Sequence, residues 1–139
     1  MDPRLMFWPA VAMVALTFAV WLRMYFMRIA QMKRERIHPQ AVATSVQASA
    51  KLTDCRAADN FRNLFELPVL FYLALVVAAQ TGQVGALTLS LAWAFVALRV
   101  AHSVIHCGYN KVIHRFYTCL AGGVVLWALW AVLAIGLLR

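Results

Sequence analysis

Apolar residues in this chain are gathered into four long blocks instead of alternating with polar ones. The first, "LMFWPAVAMVALTFAVWL", runs from 5 to 22 without a charge. The others run from 67 to 79, from 84 to 98 and from 116 to 138. Crossing a bilayer takes roughly 20 mostly apolar residues as a helix. The pattern therefore predicts an all-α membrane protein, a bundle of four transmembrane helices. Pro9 lies in the first turns of the first helix, where a proline costs least. The second and third blocks are short for a bilayer, so their helices are predicted to continue through "RAADNFRNLFE" and "RVAHSVIH". This gives spans at about 5–28, 56–80, 84–106 and 115–138 of a single domain covering 1–139, and it carries polar side chains to membrane depth.

The breaks between blocks predict the connections. "QTGQ", residues 80 to 83, is short and contains a glycine, which implies a tight hairpin and antiparallel second and third helices. "CGYNKVIH", residues 107 to 114, offers a short turn with Gly108 and Asn110 as turn formers. Between the first two blocks lies a long basic loop, broken at Pro39 and small and polar from Ala41 to Ala50.

Composition sharpens this picture. Of the 139 residues 64% are hydrophobic and 13% charged, where soluble domains carry about 25% charged residues. A net charge of +8 would suggest nucleic acid in a soluble protein, but here the basic residues flank the apolar blocks, so no nucleic-acid partner is expected. Of the 13 Lys and Arg residues, 11 fall on the side of the long loop and the 107–114 turn, leaving Arg4 and Arg139 opposite. Under the positive-inside rule both loops should be cytoplasmic and both termini across the membrane. Cys55, Cys107 and Cys119 have no CxxC spacing and are expected to be free thiols facing a reducing compartment. The strongly basic residues follow the first block instead of preceding it, which favours a retained anchor over a cleaved leader.

Polar residues at the inner ends of the spans form stripes. On a helix through 56–75, Asp59, Asn63 and Glu66 share one face, and Arg62 precedes Glu66 by four residues as its nearest candidate partner. Arg56, Asn60 and Asn63 make an overlapping stripe. In the third helix Arg99, His102, Ser103 and His106 recur every three or four residues, so a tight hairpin can bring the two stripes together. Ionisable groups within a span cost roughly 2.5–3.5 kcal/mol at mid-bilayer and tend to be paired, buried and functional. Snorkelling of single arginines to the headgroups is the plainer account of each one, but it does not explain Asn63, Glu66 and His102 on matching stripes. His102 and His106 have a spacing that can bind a metal, yet no HExxH or other zinc spacing accompanies them, and no metal site is assigned. The five tryptophans are expected at the interface or against lipid.

"RNLFELP" on the second helix, with "RVAHSVIHCGYNKVIHRFYT" bridging the third and fourth, resembles the MAPEG family, the membrane-associated proteins of eicosanoid and glutathione metabolism. The resemblance extends over nearly the whole chain, and "RVAHSV" followed by Arg115 is its most specific part. It implies a homotrimer that binds glutathione between neighbouring protomers near the cytoplasmic face of a bacterial plasma membrane. By motif, Arg62, Asn63 and Glu66, then His102, then Arg115 would hold the tripeptide, with Lys33 or Arg34 matching a basic position at the end of the first helix. "NFRN" leaves Asn60 or Asn63 as the amide ligand, and the grouping with Glu66 favours Asn63.

Glutathione carries two carboxylates and one ammonium, which suits arginines, Glu66 and an amide. Arg115 would then favour the thiolate, for attack on apolar electrophiles or lipid hydroperoxides arriving from the bilayer. Many catalytic members carry tyrosines where this chain has His106 and Cys119, and Tyr117 is the nearest phenol to Arg115. A glutathione transferase or peroxidase is thus the expected activity. A non-catalytic lipid-binding or scaffolding protein of the same fold, like the five-lipoxygenase-activating member, is the alternative. A small transporter is disfavoured by the lack of an internal repeat or broken helix.

Overall fold

A 3-10 turn at Pro3–Met6, capped by the Asp2 carboxylate accepting from the Arg4 N–H at 2.8 Å, leads into α1 (Phe7–Arg34). The computed structural model describes residues 1–138. Pro9 is the third residue of α1, where its missing N–H is one that the helix would leave unbonded anyway. The helix runs six residues beyond the predicted end at 28, carrying Lys33 and Arg34 on its last turn.

The long loop is less irregular than its small polar residues suggest. It contains a second 3-10 turn at Pro39–Val42 and a short helix, α2 (Ser45–Lys51). Thr44 starts α2 with a capping box: its hydroxyl accepts from the Gln47 N–H, and the Gln47 side chain accepts from the Thr44 N–H, both at 3.2 Å.

The second span, Arg56–Gln80, is two helices, α3 (Arg56–Asn63) and α4 (Leu67–Gln80), and not the continuous helix expected through 56–75. Pro68 explains the break. It has no N–H to offer the Leu64 carbonyl, and its ring disfavours helical backbone at the residue before it. The backbone tightens instead: Phe65 N–H bonds to the Arg62 carbonyl at 3.0 Å, and Val69 N–H to the Glu66 carbonyl at 3.2 Å. Glu66 sits at the break with φ −96° and ψ −104°. Its side chain is therefore aimed independently of the α3 stripe.

Gly82, with φ +69°, closes the hairpin to α5 (Ala86–Cys107), and Asn110, with φ +49°, turns the chain into α6 (Val112–Leu137). All four spans are long and apolar enough to cross a membrane. The protein is an all-α integral membrane bundle of four spanning helices. Phe71 of α4 stacks on Phe95 of α5 with centroids 4.4 Å apart, and Met13, Leu75, Leu126 and Leu129 are buried around them. Four of the five tryptophans, Trp8, Trp21, Trp93 and Trp127, are exposed on the outer surface.

The loop ends of the spans are fastened by side chains. Arg23 of α1 donates to the Cys107 carbonyl at 2.8 Å and Arg56 of α3 to the Gly108 carbonyl at 2.7 Å, so two cations meet the negative end of α5. Arg56 also grips Asp54 in a bidentate pair at 2.9 and 2.7 Å, which holds that carboxyl below its ordinary value of 3.8. Asn60 is fully buried between α3 and α5, accepting from Ser103 Oγ at 3.4 Å and donating to Cys107 Sγ at 3.5 Å.

Candidate functional site

A groove of about 240 Å³ opens where the break in the second span faces α5 and α6. Asn63 and Glu66 contribute from the second span, Arg99 and His102 from α5, and Arg115 and Cys119 from α6, with Leu67, Val112 and Phe116 as its apolar wall. The helical spacings make this possible. Arg99 and His102 are three apart on α5, and Arg115, Cys119 and Gly122 repeat at four and three on α6, so both faces meet along one seam.

Arg99 is the deepest charge, with 3% of its surface exposed. Its guanidinium lies over the Phe95 ring, 5.2 Å from the centroid, in a cation–π contact. Gly122 of α6 packs beside it, and a Cβ there would stand 3.8 Å from the Arg99 Nε, an ordinary contact. Two of its donors, Nε and Nη2, are buried without a protein acceptor. Such orphans cost roughly 1–3 kcal/mol each, which a ligand oxygen would relieve.

His102 is also buried, with Nδ1 3.3 Å from the Arg115 carbonyl. The Thr118 hydroxyl lies 3.4 Å from the same nitrogen, and Nε2 is buried without a protein partner. Arg115 is half-buried and uses Nη1 to hold the Asn110 side-chain oxygen at 2.9 Å. That bond ties the cation to the α5–α6 turn. Glu66 is exposed, and among the described residues no cation lies within ion-pair distance of it.

The groove of one chain therefore brings together Asn63, Glu66, His102 and Arg115 of the residues singled out from the sequence. Arg62 does not pair with Glu66 as helical spacing suggested; it reaches back to Asp59 at 3.8 Å, because the break turns Glu66 away. Arg62 instead lines a separate cavity of about 250 Å³ between α1, α2 and α3. Of the two asparagine registers, Asn63 reaches the groove while Asn60 is a buried bridge. His106 is buried behind His102, edge-on to it with centroids 5.6 Å apart. Tyr117, 60% exposed, faces away, and Lys33 and Arg34 are exposed at the end of α1, outside this groove. Arg99 and Cys119 had no assigned role, although Arg99 shares the stripe of His102 and Cys119 follows Arg115 by four.

The protein is thus a four-span helical membrane bundle with ionisable side chains converging in a groove near its basic loops. The chain belongs to the MAPEG family, whose model matches residues 6–135, nearly its whole length. No curated protein and no solved structure matches the chain significantly. The family includes glutathione transferases and peroxidases as well as non-catalytic members.

Proposed function

We propose that this protein is a glutathione-dependent membrane transferase or peroxidase acting on apolar electrophiles or lipid hydroperoxides. The carrying observation is the set of side chains in the groove: two arginines, one unpaired carboxylate, an amide and an imidazole from three separate spans. That set complements two carboxylates and an ammonium. Glu66 takes the ammonium, Asn63 bonds the peptide, and Arg99 and Arg115 take anionic groups, Arg115 favouring the thiolate. His102 Nε2 hydrogen-bonds to an amide or thiol. The apolar wall of Leu67, Val112 and Phe116 leaves a lateral way in for substrates dissolved in lipid.

At about 240 Å³ the groove is smaller than the ~300–1,000 Å³ usual for a ligand pocket. This supports a site completed by a neighbour in a homotrimer, with Lys33, Arg34 or Arg62 of the next protomer closing it. In this reading the groove lies on the cytoplasmic side of a bacterial plasma membrane, an orientation that the basic loops support.

Titrating glutathione into detergent-purified protein, with thiolate absorbance and conjugation of a chloronitrobenzene as readouts, tests this. Binding should be saturable at millimolar glutathione or below. Glu66→Gln and Arg115→Ala should each weaken it about tenfold or more, since a charge-assisted bond contributes roughly 1.5–3 kcal/mol. A second reading, a lipid-binding scaffold without catalysis, is favoured by Cys119 and the buried His106 standing where catalytic relatives carry tyrosines. Absence of glutathione binding with retained lipid binding would establish it instead.

A further inference from the structure

The three thiols of the chain are in different situations. Cys107 is buried against the Asn60 amide, and Cys55 donates to the Leu52 carbonyl at 3.0 Å in the cavity on the other side of α3. Cys119 is half-buried on the wall of the groove, one helical turn beyond Arg115. Beside it in the same groove is Arg99, 97% buried by its 3% exposure, with the Nε and Nη2 donors that no protein atom accepts. Cys119 and Arg99 thus line one space, and a bound molecule whose anionic group approaches the Arg99 guanidinium also passes the sulfur.

We propose that Cys119 is a redox-active thiol that forms a mixed disulfide with glutathione held in this groove during reduction of an apolar hydroperoxide; this rests on the groove holding glutathione, as proposed above. The bound glutathione thiolate attacks the terminal peroxide oxygen. The O–O bond breaks, the alkoxide leaves and takes up a proton as the alcohol, and glutathione becomes its sulfenic acid. Sulfenic acids condense with nearby thiols. The Cys119 sulfur attacks the glutathione sulfur, the S–S bond forms, and the hydroxyl departs with the Cys119 proton as water. Arg99 donates to that departing oxygen. A second glutathione then attacks the mixed disulfide, giving glutathione disulfide and returning a proton to Cys119. Two glutathiones and one hydroperoxide yield one disulfide, one alcohol and one water.

Position gives the wall thiol its use. Cys119 is already beside the oxidised sulfur when it forms, whereas a second glutathione must first arrive from solution.

The experiment uses the full-length protein in detergent with glutathione and cumene hydroperoxide, quenched with N-ethylmaleimide and mapped by mass spectrometry. A glutathione adduct removable by dithiothreitol should appear on Cys119 and not on Cys55 or Cys107. Cys119→Ser should lower peroxide turnover at least tenfold, while Cys55→Ser leaves it unchanged. Cys119→Ala, checked for folding by thermal shift, repeats the measurement with a different side chain. Saturable glutathione binding and peroxide turnover by the wild type without an adduct on Cys119, or an adduct with undiminished turnover in both variants, overturns the proposal and leaves the ligand assignment standing. Failure of the wild type to bind glutathione in a separate calorimetric titration overturns both.

Discussion

A guanidinium inside a span is tolerated only where something receives it, and Arg99 has a ring, a gap and a groove. Phe95 lies under its charge at 5.2 Å, Gly122 presents no side chain beside its Nε, and the residue lines the groove with two donors left unbonded. Gly122 can therefore be used to move Arg99 without touching its charge. An alanine there puts its Cβ 3.8 Å from Nε, an ordinary contact, so Gly122→Ala should bind glutathione as the wild type does. Gly122→Leu extends into the guanidinium's place; overpacking of that kind costs about 1–3 kcal/mol. Its glutathione affinity should fall at least tenfold by calorimetry, and an unchanged value would mean that Arg99 does not reach the ligand. The stripe that joins Arg99 to His102 was legible in sequence spacing alone. The depth of Arg99 was not, because it depends on a glycine on another helix and a phenylalanine one turn earlier.

Elements were legible where apolar length decides and illegible where a single residue does. Four spans, the tight hairpin at Gly82 and the turn at Asn110 follow from block length and turn chemistry. The T-x-x-Q box of Thr44 and Gln47 was also in the sequence, but small polar neighbours obscured α2. The break between α3 and α4 was the costlier omission. Treating 56–75 as one helix put Arg62 and Glu66 together, whereas the break before Pro68 separates them, and Glu66 lines the groove with Asn63. Pro68→Ala tests whether the break serves the site. Pro68 is the second residue of α4, where proline costs little, so alanine there changes stability mainly through the lost packing of a buried ring. The variant should melt within a few degrees of the wild type, yet bind glutathione at least tenfold more weakly because a continuous helix re-aims the Glu66 carboxylate from the position that the break sets. Undiminished affinity would assign the break to packing alone.

A single chain leaves much apolar surface outward, including Trp8, Phe18, Phe26, Val104 and Trp127, each more than half exposed except where lipid or another protomer would cover it. In lipid such surface does not drive association by itself; close packing and polar contacts do. Polar groups that find no use in one chain therefore carry information about the assembly. Lys33 and Arg34 end α1 exposed, Arg34 engaged only with neighbouring Glu35 at 3.2 Å, while Glu66 waits in a groove without an ion-pair partner among the described residues. A trimer in which the α1 end of one protomer closes the groove of the next joins these two loose ends through a ligand. Mixed assemblies discriminate this from a site contained in one chain. A Glu66→Gln protomer has a damaged groove and an intact α1 end, and a Lys33→Ala, Arg34→Ala protomer has the reverse. Neither alone should bind glutathione tightly. Co-expressed at equal levels and assembled at random, they form intact groove and α1 pairs at about one half times one half, or about a quarter, of interfaces. Doubly tagged purification keeps only mixed trimers, in which one interface in three is intact, so calorimetry should recover about a third of the tight sites. Recovery of none, with both variants folded and assembled, would place the groove and the α1 end that serve one ligand on the same protomer, and tight binding by the Lys33→Ala, Arg34→Ala protein alone would exclude the α1 end from the site.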